Sequence, residues 1–307
     1  MSLEAPRAGA AVFLLLAALS VPAESSAQTA KGPVLVITAS GRDYLFGAAG
    51  TLARMIDEGR DVYVRQFGND EKDSVGLGPA DTRIANNQEA ERAARKLGVK
   101  EWLNLGHKSG ELGQLSSSEL RNQVMTMVRF YKPEIMFFPD WYIHYQDDND
   151  LYRVGRMAEE APYGGGSYFV QEMTYIGYGG FAAREYYFYS PYRPYRPREG
   201  GEDGATIKGV DIGNTFDRKM AAIAELKTGN LRYAVQTKER LVAAGRSADL
   251  LREINERSTL GLVRAFVEEL AAAVGAKYGF QFAEEFNHLG TGGGIPEHIR
   301  EQARPGN

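Results

Sequence analysis

The stretch that most constrains the fold is the unbroken apolar run at residues 33–38, "PVLVIT". A strand that is apolar at every position is covered on both faces, as in a parallel sheet with helices above and below. A short polar turn follows, Ala39, Ser40, Gly41, Arg42, Asp43 and Tyr44. Then comes a helical pattern over 46–58, with Leu52, Met55 and Ile56 on one face and Gly59 as the stop.

The same alternation continues. A strand is predicted at 61–67, a Gly- and Asp-rich loop at 68–81, a helix at 81–97 ending at Gly98, and a short strand at 101–106. A helix is predicted at 118–131, starting at a Ser cap and carrying Leu120, Val124, Met127, Val128 and Tyr131 on one stripe. A buried strand at 134–140 and a helix at 151–161 complete the pattern. Strands alternating with helices predict an α/β, Rossmann-like three-layer sandwich with a mostly parallel sheet. In such sheets ligands bind beyond the carboxyl ends of the strands. Two polar turns leave those ends, at 39–44 and at 139–150 ("PDWYIHYQDDND").

The middle of the chain changes character. Residues 163–198 are rich in Tyr and Gly, and strands are predicted at 168–176 and 184–189 as a Tyr-rich β extension, antiparallel in part. Its tyrosines suit either a stacking platform for a sugar or a sheet edge. A Gly-rich loop is read at 198–205, and helices at about 214–227, 230–244 and 247–274. The resulting division is a leader at 1–27, an α/β domain at 28–229, and a helical extension at 230–307 packed on the same domain.

The leader is read from Arg7, the apolar run at 10–21, and the Ser25-x-Ala27 site before Gln28. It implies export to a periplasm or the exterior, with no integral membrane segment after cleavage. A net charge of −4 gives no reason to expect nucleic acid as a partner. The chain has no cysteine, so a zinc site would need His and carboxylates, and only His107, His144, His288 and His298 are available. His107 reads as a loop residue, and His288 and His298 as residues of the C-terminal part.

Several phrases in order resemble the PIG-L/LmbE family of zinc-dependent de-N-acetylases acting on N-acetylglucosaminyl compounds. They are "VLVITA" with "FGAAGTLARMIDEG", "QEAERAARKLGV", "LGHKSGEL", "VRFYKPEIMFFPD", "VGRMAEEA" and "VDIGNTFDRKMAAI", with a weaker echo in "FAEEF" at 282–286. The family's chemistry rests on two motifs, AHPDDE and HPDH, which supply three zinc ligands, a base and an acid for amide hydrolysis. In register, Ser40 stands for a zinc-binding His, Arg42 for the catalytic Asp, Asp43 matches the zinc-binding Asp, and Tyr44 replaces Glu. In the second motif Asp148 stands for the catalytic His, Asp150 matches the motif Asp, and Leu151 replaces the last zinc ligand. Farther on, Leu226 and Gly229 replace a His and a Gln, and residues 86–90 ("NNQEA") stand where relatives place an Arg before the Glu.

The resemblance therefore implies the fold together with a degenerate zinc and catalytic site, and three readings stay open. In the leading one, the chain is an exported pseudoenzyme with no cofactor. A pocket of Ser40, Arg42, Asp43, Tyr44, Asp148 and Asp150 then binds an amino sugar or similar polar ligand. Arg42 pairs there with Asp148 or Asp150 and partly replaces the metal's charge. In the second, an amide hydrolase uses a rearranged zinc or other metal site around Asp43, His144 and the carboxylates of Asp140, Asp147, Asp148 and Asp150. In the third, the Tyr-rich segment at 186–195 and the C-terminal helices form an interaction surface. A simpler role for Asp148 or Asp150 is to cap the helix at 151–161.

Overall fold

The structure is a computed structural model, and it describes residues 31–144, 148–163, 169–191, 205–290 and 297–303. The leader expected at 1–27 lies outside them. From Lys31 onward the chain forms one compact unit.

Strand β1 (Val34–Thr38) leads into helix α1 (Asp43–Asp57), then β2 (Val62–Gly68), α2 (Pro79–Leu97) and β3 (Glu101–His107). A 3-10 turn (Leu112–Gln114) precedes α3 (Ser117–Tyr131), β4 (Ile135–Pro139), the short α4 (Trp141–His144) and α5 (Asn149–Tyr163). Then follow α6 (Gln171–Tyr175), β5 (Glu185–Tyr189), β6 (Ala205–Asp211), α7 (Phe216–Ile223) and α8 (Lys227–Ala243). After a 3-10 turn (Asp249–Leu251), α9 (Glu256–Tyr278), β7 (Ala283–Leu289) and α10 (Glu297–Arg300) end the described chain.

The seven strands form one sheet in the order β3-β2-β1-β4-β5-β7-β6. The first five in that order are mutually parallel, while β7 runs antiparallel to both β5 and β6. This is the α/β three-layer sandwich with a mostly parallel sheet. Successive residues of β1 face opposite layers. Val34 and Val36 pack with α1, α2, α7 and α9, and Leu35 and Ile37 pack with α3 and α5. Two-sided covering is why the first four residues of β1 are all apolar.

Four expectations are corrected. The strand at 168–176 is absent; its middle is the helix α6, and the buried Arg129 guanidinium takes the Phe169 and Val170 carbonyls at 2.8 Å. The extension 230–307 is not wholly helical, since β7 inserts between β5 and β6, and β6 begins at the end of the expected Gly-rich loop. The helix at 247–274 is broken by the 3-10 turn, and α9 starts only where Asn255 and Ser258 form a reciprocal cap. The tyrosines of β5 are neither platform nor edge: Tyr186, Tyr187 and Tyr189 are buried between β4 and β7. Tyr192 and Tyr195 lie outside the described residues.

Candidate functional site

The turn after β1 is held from three directions. Thr38 Oγ1 donates to the Ser40 carbonyl at 2.8 Å, and the Ser40 amide donates to Asp43 Oδ2 at 2.7 Å. The Gly41 amide donates to Asp70 Oδ2 at 2.9 Å. A Cβ at Gly41 would sit 2.9 Å from Ala90 Cβ and 3.1 Å from Gln66 Oε1, so the turn approaches α2 and β2 more closely than a side chain allows.

The next strand supplies the second wall. Asp70 has a left-handed backbone (φ 54°), with its amide bound to Ser109 Oγ at 2.8 Å and its carboxylate also held by Gln66 Nε2 at 2.8 Å. Asn86 of α2 donates to the carbonyls of Asp70 and Asp73, at 2.8 and 3.0 Å. Asp73 then receives Arg232 of α8 at 2.6 Å and Arg42 at 3.8 Å. The Arg42 guanidinium also lies over the rings of Phe46, at 5.0 Å, and Tyr233, at 6.0 Å.

The third wall is the start of α5. Asp148 Oδ1 accepts the amides of Asp150 and Leu151, at 2.9 and 3.0 Å, which caps the helix. Asp150 accepts the Leu112 amide at 3.1 Å and the Gly110 amide as well, tying α5 to the turn after β3.

These walls enclose a cavity of about 410 Å³ at the carboxyl ends of the parallel strands. Ser40, Arg42, Asp43, Asp148 and Asp150 all line it. Tyr44 does not: its ring has no exposure and belongs to the core under α1. Arg42 pairs with Asp73, while the Asp148 and Asp150 carboxylates accept backbone amides. Asp70, Lys72, Asp73, Ser109 and Arg232 join the lining without having been singled out in the sequence. Asp70 and Asp73 follow β2, whose carboxyl end opens on the same edge as β1, so topology could have named them. Arg232 arrives from a distant helix and has no local signal.

The remaining acidic and imidazole candidates lie elsewhere. Asp140 is fully buried and accepts the Tyr142 amide at 3.1 Å. His107 meets Gln123 at 2.9 Å, His288 meets Glu185 at 2.9 Å, and His298 is exposed on α10. Asp147 and the His144 ring lie outside the described residues.

Burial shapes the electrostatics of the floor. It pushes the Asp43 carboxyl up to about 7, helped by Asp148 and opposed by Ser40 and Arg42. Burial also pushes Asp70 up to about 8, opposed by the Gly41 amide and Gln66 and reinforced by Asp73 and Asp43. Asp150 is raised by burial too. Asp43 and Asp70 thus hold their protons to far higher pH than a free aspartate does.

Residues 35–160 match the family model described as PIG-L: GlcNAc-PI de-N-acetylase. The match runs from β1 to α5, so it is this part of the chain that is similar to the PIG-L model. Solved structures agree on the fold. An N,N'-diacetylchitobiose deacetylase from Pyrococcus horikoshii, complexed with an inhibitor, is similar at 20% identity with a TM-score of 0.65, over 84% of this chain and 83% of that one. The conserved protein TT1542 from Thermus thermophilus is similar at 19% identity and a TM-score of 0.58, over 89% and 99%. GalB, a 4-carboxy-2-hydroxymuconate hydratase from Pseudomonas putida, is similar at 18% and 0.57, over 84% and 96%. No curated protein matches the sequence.

The PIG-L resemblance implies zinc, and the described residues at the family's ligand positions do not fit it. Of the three ligand positions, only Asp43 bears a metal-binding group of the family type. Leu151 is 1% exposed and packs in the apolar layer with Leu112 and Val154. Among the described residues, no three His, Cys, Asp or Glu side chains converge to hold a metal ion. A catalytic zinc takes three protein ligands and an open position.

Proposed function

We propose that this chain is an exported, non-hydrolytic PIG-L-type protein that holds an amino sugar or similar small polar ligand in the cleft beyond β1, β2 and β4. One observation carries the reading: Leu151, which in register stands for the last zinc ligand, is sealed in the core. With that position apolar, Ser40 in place of a His and Arg42 in place of the base, the family's metal-activated water lacks two of its three metal ligands and its proton acceptor.

What is left suits binding. The cleft is of small-molecule size, about 300–1,000 Å³ being usual. It offers carboxyls at Asp43 and Asp70, a hydroxyl at Ser109 and guanidiniums at Arg42 and Arg232. Such a mixture matches the hydroxyl and amide groups of a sugar. The diacetylchitobiose deacetylase among the similar folds supports a sugar amide as the first ligand to try.

The test is calorimetric titration with N,N'-diacetylchitobiose and with glucosamine in the presence of EDTA, with acetate assayed in parallel. Saturable binding without acetate is the expected result. Acetate release that EDTA abolishes would overturn it in favour of a hydrolase built on Asp43, His144 and the carboxylates at 147–150. Absence of binding, with partner capture lost on altering 186–195, would favour the interaction reading.

A further inference from the structure

Charge is distributed unevenly around the cleft. On one side Arg42, at the turn after β1, and Arg232, in the second turn of α8, flank Asp73. Asp73 Oδ1 lies 2.6 Å from Arg232, and its Oδ2 lies 3.8 Å from Arg42. The first contact is a charge-assisted hydrogen bond; the second is an ion pair beyond hydrogen-bond reach. This side of the cleft thus sets two guanidiniums around a single carboxylate. Both reach the open space, with side chains 17% and 35% exposed for Arg42 and Arg232. Lys72, beside Asp73 in sequence, lines the cleft as well.

The other lining carboxyls are occupied by their own walls. Asp43 accepts the Ser40 amide and Asp70 the Gly41 amide. Asp148 and Asp150 each accept two backbone amides at the start of α5 and in the turn after β3. An anion entering the cleft is therefore drawn to the α8 side and repelled from the α5 side. The Arg42 guanidinium is also held over the Phe46 and Tyr233 rings, so it loses little freedom when it takes a partner.

We infer that the ligand of this cleft carries an acid group, a carboxylate or a phosphate, which seats on Arg42 and Arg232 beside Asp73, with the amine turned to the α5 side. This rests on the reading of the cleft as an amino-sugar site. A planar guanidinium matches either acid through two parallel hydrogen bonds, and a pair of them matches it from two sides. In register Arg42 stands where the family motif has its base, so the contact has no counterpart in that motif.

Calorimetric titration of the full chain, in the presence of EDTA, with glucosamine, glucosamine 6-phosphate, muramic acid and inorganic phosphate tests this. At least one of the two sugar acids should bind roughly 10- to 100-fold more tightly than glucosamine, as charge-assisted hydrogen bonds are gained. The tighter of the two names the acid group. The advantage should shrink as salt is raised. Arg232→Gln, with unfolding temperature checked, should cut it to within about 3-fold. Asp73→Asn removes the competing carboxylate and should enlarge it, a gain that misfolding cannot mimic. Glucosamine binding as tightly as both acids would overturn the acid subsite and leave the amino-sugar reading standing; binding of none of them would overturn both. An advantage that survives in Arg232→Gln or falls in Asp73→Asn would also overturn the subsite. So would inorganic phosphate binding as tightly as the sugar phosphate, which would mean an anion site without a sugar.

Discussion

Asp43, which in register stands at a zinc-ligand position, holds a turn: its carboxyl accepts the Ser40 amide and sits close to Asp148. Its raised pKa has a definite sign. An aspartate free in the unfolded chain ionises near pH 4, whereas Asp43 holds its proton to about 7 and Asp70 to about 8. Their contribution is therefore most favourable below pH ~4 and is lost progressively as pH rises to about 8. Asp43→Asn keeps an acceptor for Ser40 and removes the ionisation. Urea denaturation should show this variant gaining on the parent between pH 5 and pH 8, on the order of 2 kcal/mol; parallel pH profiles would contradict a buried, titrating Asp43. Arg42 is the complementary case. Its pair with Asp73 and its two aromatic faces make Arg42→Ala cost about 1–3 kcal/mol in the same assay. Arg42→Lys should recover only part, because an ammonium lacks the planar stack. At this scale the sequence was legible where a side chain sits on a predicted turn, as for Ser40, Arg42, Asp43, Asp148 and Asp150. It was misleading for Tyr44, whose place in the first turn of α1 directs it to the core.

The elements that shape the cleft meet at close backbone approaches. Gly155, nearly two turns into α5, packs against the end of β4, and a Cβ there would lie 2.3 Å from the Pro139 carbonyl oxygen. Gly155→Ala should therefore push α5 off the sheet and cost upwards of ~3 kcal/mol, read as a fall in the urea midpoint. It should also weaken ligand binding, since Asp148 and Asp150 ride on that helix. The helices and strands from β1 through α5 were readable because periodicity, Gly stops and two-faced burial all agree there. Beyond them agreement fails. The β-prone stretch at 168–176 loses two carbonyls to Arg129, a residue 40 positions away in sequence. β7 was not recognised because "AEEFNHL" carries Glu284 and Glu285 inside, each needing a partner from another element.

Those partners join the whole molecule. Lys219 and Glu284 form a buried pair, 3% and 4% exposed and 2.7 Å apart, and Glu284 also accepts the Gly50 and Thr51 amides of α1. One carboxylate thus ties the antiparallel end of the sheet to the helix that opens the cleft. Lys219→Met strands that charge and should destabilise the chain by about 3–5 kcal/mol, with Lys219→Met/Glu284→Gln recovering part of the loss. The sequence order shows the parallel half of the sheet but not this closure, because the pairing spans 65 residues and leaves no local pattern. Among the described residues no helix is long and apolar enough to cross a membrane. On the function proposed above, the cleft binds a small ligand and holds no zinc. Zinc per chain, measured by mass spectrometry on protein purified with zinc supplied, tests this most directly. Well under one equivalent, unchanged in Asp43→Ala, is expected; one equivalent that disappears in Asp43→Ala would contradict it.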